Sequence, residues 1–228
     1  KFKLHEEDIK IKITFMMETI EATVFVEPFP HIIIDNFYNE DELQLIWEEL
    51  KFFTKPDKLI HPEVFTPKYG GKEIVTNAKA LHLNDIFKDD YKSLSNILTV
   101  NRKIFESGIL DKFSELHDSC SFVNECNYDI TILRYYHNGE YHHLHSDVLF
   151  QFLAFSYFYK EPKKFSGGEL IFPSFDYSLT CKNNSIIIFP GWVEHEVSKV
   201  EIKNSDYYDG WGRYSINTFF RKDESITI

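Results

Sequence analysis

The chain has 228 residues, with 36 acidic against 25 basic side chains and a formal net charge of −11. That length fits a single domain with a substantial core, and the acidic balance disfavours a nucleic-acid backbone as the main partner, because phosphate binding needs a basic footprint. Hydrophobic residues make up 43%, which excludes a disordered chain, and no apolar run approaches the length of a membrane span.

Phe (22) and Tyr (13) are abundant and lean the chain toward strands. The three cysteines, Cys120, Cys126 and Cys181, form no CxxC pair. They argue against a disulfide scaffold and for a reducing, cytoplasmic (intracellular) setting. The numbered chain starts at Lys1 rather than Met, and no secretory leader is visible in it. Oligomeric state is left open.

In chain order, "IKIKITF" and "ATVFVEPFPHIIID" read as strands punctuated by prolines. "NEDELQLIWEELKFF" predicts an amphipathic helix. Asn39 is its N-cap, Glu42 the capping-box partner, and Leu43, Ile46, Trp47, Leu50 and Phe53 its buried stripe. Residues 54–76 read as loop and short strand, marked by Pro56, Pro62 and Pro67, and are a candidate lid. Residues 83–118 carry helical periodicity through Tyr91, Leu94, Ile97, Leu98, Ile104 and Phe105, with Gly108 splitting it. From about 128 the texture changes to short strand-like runs between Gly, Pro, Asn and Asp, the pattern of a sandwich or barrel. "VLFQFLAFSYFY" is apolar on both parities and predicts a strand buried on both faces. The whole is one domain, with support over about 1–120 and a β core over about 128–221.

The densest chemistry lies in "YYHNGEYHHLHSD", residues 135–147, with His137, His142, His143 and His145. In an extended chain, residues two apart point to one side, so His145 and Asp147 can aim at one point. Only His195 lies downstream to complete the set. Two histidines and one carboxylate on one face leave open positions on an octahedral iron, the facial triad of non-haem Fe(II) oxygenases. Further on, Arg213 and Ser215 in "GRYSINTFF" share strand parity. A guanidinium with a hydroxyl suits a carboxylate.

The order H-x-D, "GGELIF", "NNSIIIFPG", "HEV", then "G-x-R-Y-S-x-N" resembles the Fe(II)- and 2-oxoglutarate-dependent dioxygenases, in particular the prolyl 4-hydroxylase-like group. "PFPHIIIDNFYNEDELQLIWEEL" also resembles that group's opening strand and helix. The resemblance implies a double-stranded β-helix (jelly roll) core with N-terminal supporting helices. It implies that His145, Asp147 and His195 bind Fe(II), and that Arg213, assisted by Ser215, holds the distal carboxylate of 2-oxoglutarate. It implies a tyrosine touching the co-substrate, with Tyr135 favoured over Tyr136 by its spacing through Gly139 to Tyr141. O2 and 2-oxoglutarate are then consumed, succinate and CO2 released, and an unactivated C–H hydroxylated, with ascorbate as an accessory reductant. The expected substrate is a prolyl or other residue of a peptide or protein.

Two departures from the family pattern stand out. "HHL" supplies three residues between Tyr141 and His145 where the family has two, so one residue is inserted or bulged. Arg213 lies eighteen beyond His195 instead of about ten, and "NSDYYDGW" reads as the extra hairpin tip. Lys203 sits nearer the usual offset without the motif around it.

Three rival readings remain. The first is a free amino acid or other small molecule as substrate. The second is an inactive jelly-roll binding module. The third is a cupin-like site on His143 and His145, which lacks the glutamate such sites add. His31, His61, His82 and His117 read as ordinary surface or core residues.

Overall fold

Period-two alternation dominates the second half of the chain, and in the computed structural model it becomes two facing sheets. The structure describes residues 9–15, 18–64, 75–203 and 206–225. Its elements begin with β1 (Ile9–Phe15), β2 (Glu18–Phe25), β3 (His31–Asp35) and α1 (Glu40–Phe53). β4 (Lys79–His82) precedes four short helices: α2 (Leu83–Ile86), α3 (Asn96–Asn101), α4 (Lys103–Glu106) and α5 (Ile109–Ser114). Then come β5 (Tyr128–Tyr136), β6 (His142–His145), β7 (Phe152–Phe158), β8 (Phe165–Ser166) and β9 (Leu170–Phe172). The last are β10 (Tyr177–Leu179), β11 (Ser185–Pro190), β12 (His195–Val197), β13 (Glu201–Ile202) and β14 (Arg213–Arg221).

The major sheet has eight strands in the order β1-β2-β3-β11-β7-β14-β5-β4. The minor sheet has four, β10-β9-β12-β6, and β8 pairs with β13 in a small third sheet. All pairings are antiparallel. The result is the expected jelly roll with helices on the outer face of the major sheet.

Strand parity builds two cores from one sheet. On β14, Tyr214, Ile216 and Phe220 face the helices and pack with Ile46 and Leu50 of α1. Fully burying such a side chain stabilises by roughly 1.5–3 kcal/mol. Phe219, with Phe155, Phe172, Phe189 and Val197, fills the space between the sheets. A buried polar chain ties α3 to the outer face of the sheet. The Tyr38 hydroxyl donates to Asn101 Oδ1 (2.8 Å), and Asn101 Nδ2 donates to Thr218 Oγ1 (2.6 Å).

The capping box at α1 forms as expected. Glu42 N donates to Asn39 Oδ1 and Asn39 N donates to Glu42 Oε2. The prolines of "ATVFVEPFPHIIID" separate β2 from β3, also as expected. Other expectations change. The helical stretch is broken into short pieces, and Tyr91 and Leu94 are exposed on a 3-10 turn. "VLFQFLAFSYFY" is buried throughout only from Phe152 to Phe158; Val148 and Leu149 stand out at 71% and 72% exposure. Much of the candidate lid, 65–74, lies outside the described residues. Its end is tied down: Thr76 pairs with His142, and Thr76 Oγ1 donates to the Tyr141 carbonyl. Among the described residues no helix is long and apolar enough to cross a membrane.

Candidate metal centre

β6 and β12 are neighbours in the minor sheet, and their register places His195 directly opposite His145. Asp147 follows two residues on, where the chain leaves β6. Its N–H donates to the Gly191 carbonyl (2.9 Å), and its own carbonyl accepts from Phe150 N (2.8 Å). Gly191 is needed here: a Cβ would sit 2.1 Å from the Phe150 carbonyl oxygen and 2.8 Å from that of Asp147. The glycine of "FPG" thus lets the two ligand-bearing turns nest against each other.

The three side chains converge. His145 Nε2 lies 3.7 Å and His195 Nε2 3.6 Å from Asp147 Oδ2, and one ligand atom from each residue falls within 4.8 Å of the others. Each imidazole donates Nδ1–H to a backbone carbonyl, His145 to His143 (2.8 Å) and His195 to Val193 (3.0 Å). That fixes the tautomer with Nε2 bare and aimed inward, the usual outer support of a metal-ligating histidine. Burial pushes the His195 imidazole down to about 3, with the charge of His145 adding to the effect, so it stays neutral. Asp147 Oδ2 is buried and accepts no hydrogen bond, and burial raises the carboxyl. An orphaned carboxylate oxygen beside two bare imidazole nitrogens suits a divalent cation, which inverts that penalty.

The triad overhangs a cavity of about 620 Å³ floored by the major sheet. Arg213 lies deep at one end, 2% exposed, its guanidinium between the rings of Tyr136 (4.8 Å) and Tyr157 (4.7 Å). The Cys181 thiol is within hydrogen-bonding reach of it. Arg213 Nε and Ser215 Oγ are both buried without hydrogen-bond partners. This end is built for an anion.

Tyr135 needs correcting. β14 pairs with β5 so that Arg213 faces Tyr136 and Tyr214 faces Tyr135. Tyr136 therefore shares the cavity with Arg213. Tyr135 is on the helix side, packed on Tyr207 and Tyr214, with its hydroxyl accepting from Gly212 N (3.0 Å). It cannot touch a ligand in this cavity.

The extra residue of "YHHLH" is a bulge. His142 pairs with Val197 while His145 pairs with His195, so three steps on β6 match two on β12. The bulge turns His142 inward with His145, and it lines the cavity. Sequence parity gave no sign of this. His137 is half-buried beside Tyr135 and Tyr207, and His143 is exposed, so neither joins the triad. His82, taken for an ordinary residue, also lines the cavity, as do Arg134 and Asn217. Arg134 and Asn217 were missed, although each shares strand parity with a residue already singled out.

Residues 130–221 match the model of the 2OG-Fe(II) oxygenase superfamily. Over that stretch, less than half of the chain, it is similar to that superfamily. An uncharacterized PKHD-type hydroxylase of Synechocystis sp. is 26% identical over 197 residues, covering 76% of this chain and 62% of its own length. The oxygenase chain thus spans about three fifths of the curated relative it matches. A Pseudomonas putida prolyl-4-hydroxylase shares the fold, with a TM-score of 0.54 at 14% identity over 85% of this chain and 92% of its own. So does the viral collagen prolyl hydroxylase of Paramecium Bursaria Chlorella virus-1, solved with 2OG, at 0.50 and 14% over 85% and 96%. The oxygenase fold is that of the prolyl 4-hydroxylase-like group.

Proposed function

We propose that the protein is an Fe(II)- and 2-oxoglutarate-dependent dioxygenase that hydroxylates an unactivated C–H of a prolyl or other residue in a peptide or protein. The observation that carries this is the orphaned Asp147 Oδ2 held within 3.7 Å of two bare imidazole nitrogens at the mouth of a cavity ending in Arg213.

In this reading His145, Asp147 and His195 hold the iron, which supplies oxygen activation coupled to conversion of 2-oxoglutarate to succinate and CO2. The backbone carbonyls of His143 and Val193 keep both imidazoles in the ligating tautomer. Arg213, with Ser215, takes the distal carboxylate of 2-oxoglutarate. Tyr136 and Tyr157 fix the guanidinium, so little of its freedom is lost on binding. The apolar wall, including Phe155 and Phe219, keeps water from the reacting atoms. A peptide substrate is favoured by Val148 and Leu149, which line the cavity and are largely exposed, as an apolar lip for an extended chain.

Anaerobic titration with Fe(II) and 2-oxoglutarate should give the weak visible charge-transfer band of the chelate, and admitting O2 should release succinate. Neither band nor succinate would overturn the proposal. His195→Ala should lose iron. Arg213→Ala should keep iron and weaken 2-oxoglutarate by tenfold or more, the loss of a charge-assisted bidentate contact.

A further inference from the structure

The cavity is several times larger than a five-carbon diacid needs, and its floor is ordered. Inward side chains run along β14 as Arg213, Ser215, Asn217 and Phe219, and face Tyr136, Arg134, Ile132 and Ile130 on β5. Each step of two residues is about 7 Å, roughly the length of the diacid itself. A co-substrate reaching from Arg213 to the metal therefore occupies the first step and leaves the next for another molecule.

Arg134 and Asn217 stand on that next stretch, diagonal to each other on adjacent strands. They are 5% and 7% exposed. Both line the same cavity as His145, Asp147 and His195. Asn217 Oδ1 is buried and accepts no hydrogen bond. It sits among Ile132, Phe155 and Phe219, where a bare amide oxygen is costly unless a ligand N–H meets it. At the cavity's far rim Arg221 stacks on Tyr128 (4.8 Å) and is paired with Asp223 (3.1 Å).

We propose that Arg134 and Asn217 recognise the substrate, and that the substrate carries a carboxylate with an N–H on a neighbouring atom and an apolar side chain. A guanidinium and an amide oxygen suit, by type, the carboxylate and the N–H of an amino-acid unit. Ile130, Ile132 and Phe219 match its side chain. The proposal rests on the oxygenase chemistry of the reading above and departs from it on substrate: the N–H excludes a prolyl residue within a chain, and the free α-carboxylate points to a peptide C-terminus or a free amino acid.

The test uses the whole chain with Mn(II) in the metal site and saturating N-oxalylglycine, an unreactive analogue of 2-oxoglutarate, so that Arg213 is already occupied. The probes are N-acetyl-leucine, leucine and N-acetyl-leucinamide, and the readout is broadening of their proton resonances by Mn(II). N-acetyl-leucine or leucine should broaden at least fivefold more than the neutral amide. Arg134→Gln should erase that preference, Arg134→Lys should restore part of it, and N-oxalylglycine affinity should stay within twofold throughout. Asn217→Asp, which keeps the shape and adds a like charge, should repel both carboxylates and serves if Arg134→Gln does not fold.

Equal broadening of acid and amide in the parent would overturn the proposal. So would loss of N-oxalylglycine in Arg134→Gln, which would assign Arg134 to the co-substrate. Failure to bind Mn(II) and N-oxalylglycine at all would instead remove the oxygenase reading beneath it. The stronger of the two acids tells a chain terminus from a free amino acid.

Discussion

His142 lies flat against His145, their ring centroids 4.2 Å apart and their planes 9° from parallel. The bulge in β6 makes this possible, since without it the two rings would leave the strand on opposite sides. His145 is thus braced by one stacked ring and by one hydrogen bond to the His143 carbonyl.

His142→Ala removes the brace and leaves the ligand set intact. Metal affinity, read by anaerobic calorimetry, should fall about tenfold, the scale typical of losing an outer support. His142→Phe keeps a flat ring and should stay close to the parent. Equal losses in both variants would mean that the imidazole nitrogens of His142, rather than its face, are what matter.

The same bulge marks where sequence reasoning stops. The convergence of His145 and Asp147 was legible from local two-residue parity, and His195 joins them as the one histidine downstream. The Asn39–Glu42 cap was legible because both partners lie within one turn. Tyr135 was misassigned because its side of the sheet is set by which residue of β14 pairs with it, a choice made across nearly eighty residues of chain. Arg134 was passed over for a related reason: an arginine in "TILRYY" looks like an ordinary strand residue until register sets it opposite Ser215. The strand order of the major sheet is non-local in the same way, whereas the helix break at Gly108 was local and visible.

Gly168 lies directly behind Arg213. A Cβ there would come within 2.8 Å of Arg213 Cδ and 3.1 Å of Val200 Cγ2, at a φ of +75° that side chains disfavour. Gly168→Ala should destabilise the fold by about 1 kcal/mol or more through backbone strain. It should also push the guanidinium off its seat between Tyr136 and Tyr157. Binding of 2-oxoglutarate should weaken at least tenfold while Mn(II) binding holds. Unchanged 2-oxoglutarate binding would show that Arg213 can shift without consequence.

Glu42 serves two partners. Its Oε2 accepts from Asn39 N (2.8 Å) in the capping box and from Lys103 Nζ (2.7 Å), whose side chain is 4% exposed. Asn39→Ala should lower stability by about 1 kcal/mol, the usual loss for an N-cap. Glu42→Ala should lower it further, by about 2–3 kcal/mol, because it also takes the carboxylate away from a buried ammonium. Urea denaturation of the two variants separates the effects. Equal losses would mean that the ion pair adds nothing beyond the cap.

Glu140 provides a pH signature away from the metal. Its Oε2 accepts from His137 N (2.6 Å), and burial raises its carboxyl to about 7, with Lys79 opposing the shift. His137, Tyr135, Tyr207 and Lys79 pack around this corner. The folded chain thus holds the Glu140 proton more tightly than the unfolded chain, where a glutamate titrates near 4.5. Stability from the protonated form is present below about 4.5 and is lost as pH rises toward 7. Glu140→Gln keeps an acceptor for the His137 N–H and never ionises. The melting temperatures of variant and parent should therefore agree near pH 4.5 and separate in the variant's favour up to about pH 7. Above that they should stay a few degrees apart. Other titrating groups, including buried His31, act equally in both chains and cancel in the difference. Parallel curves across the window would show that the folded chain ionises Glu140 as readily as the unfolded one, and that this corner admits enough water to solvate the charge.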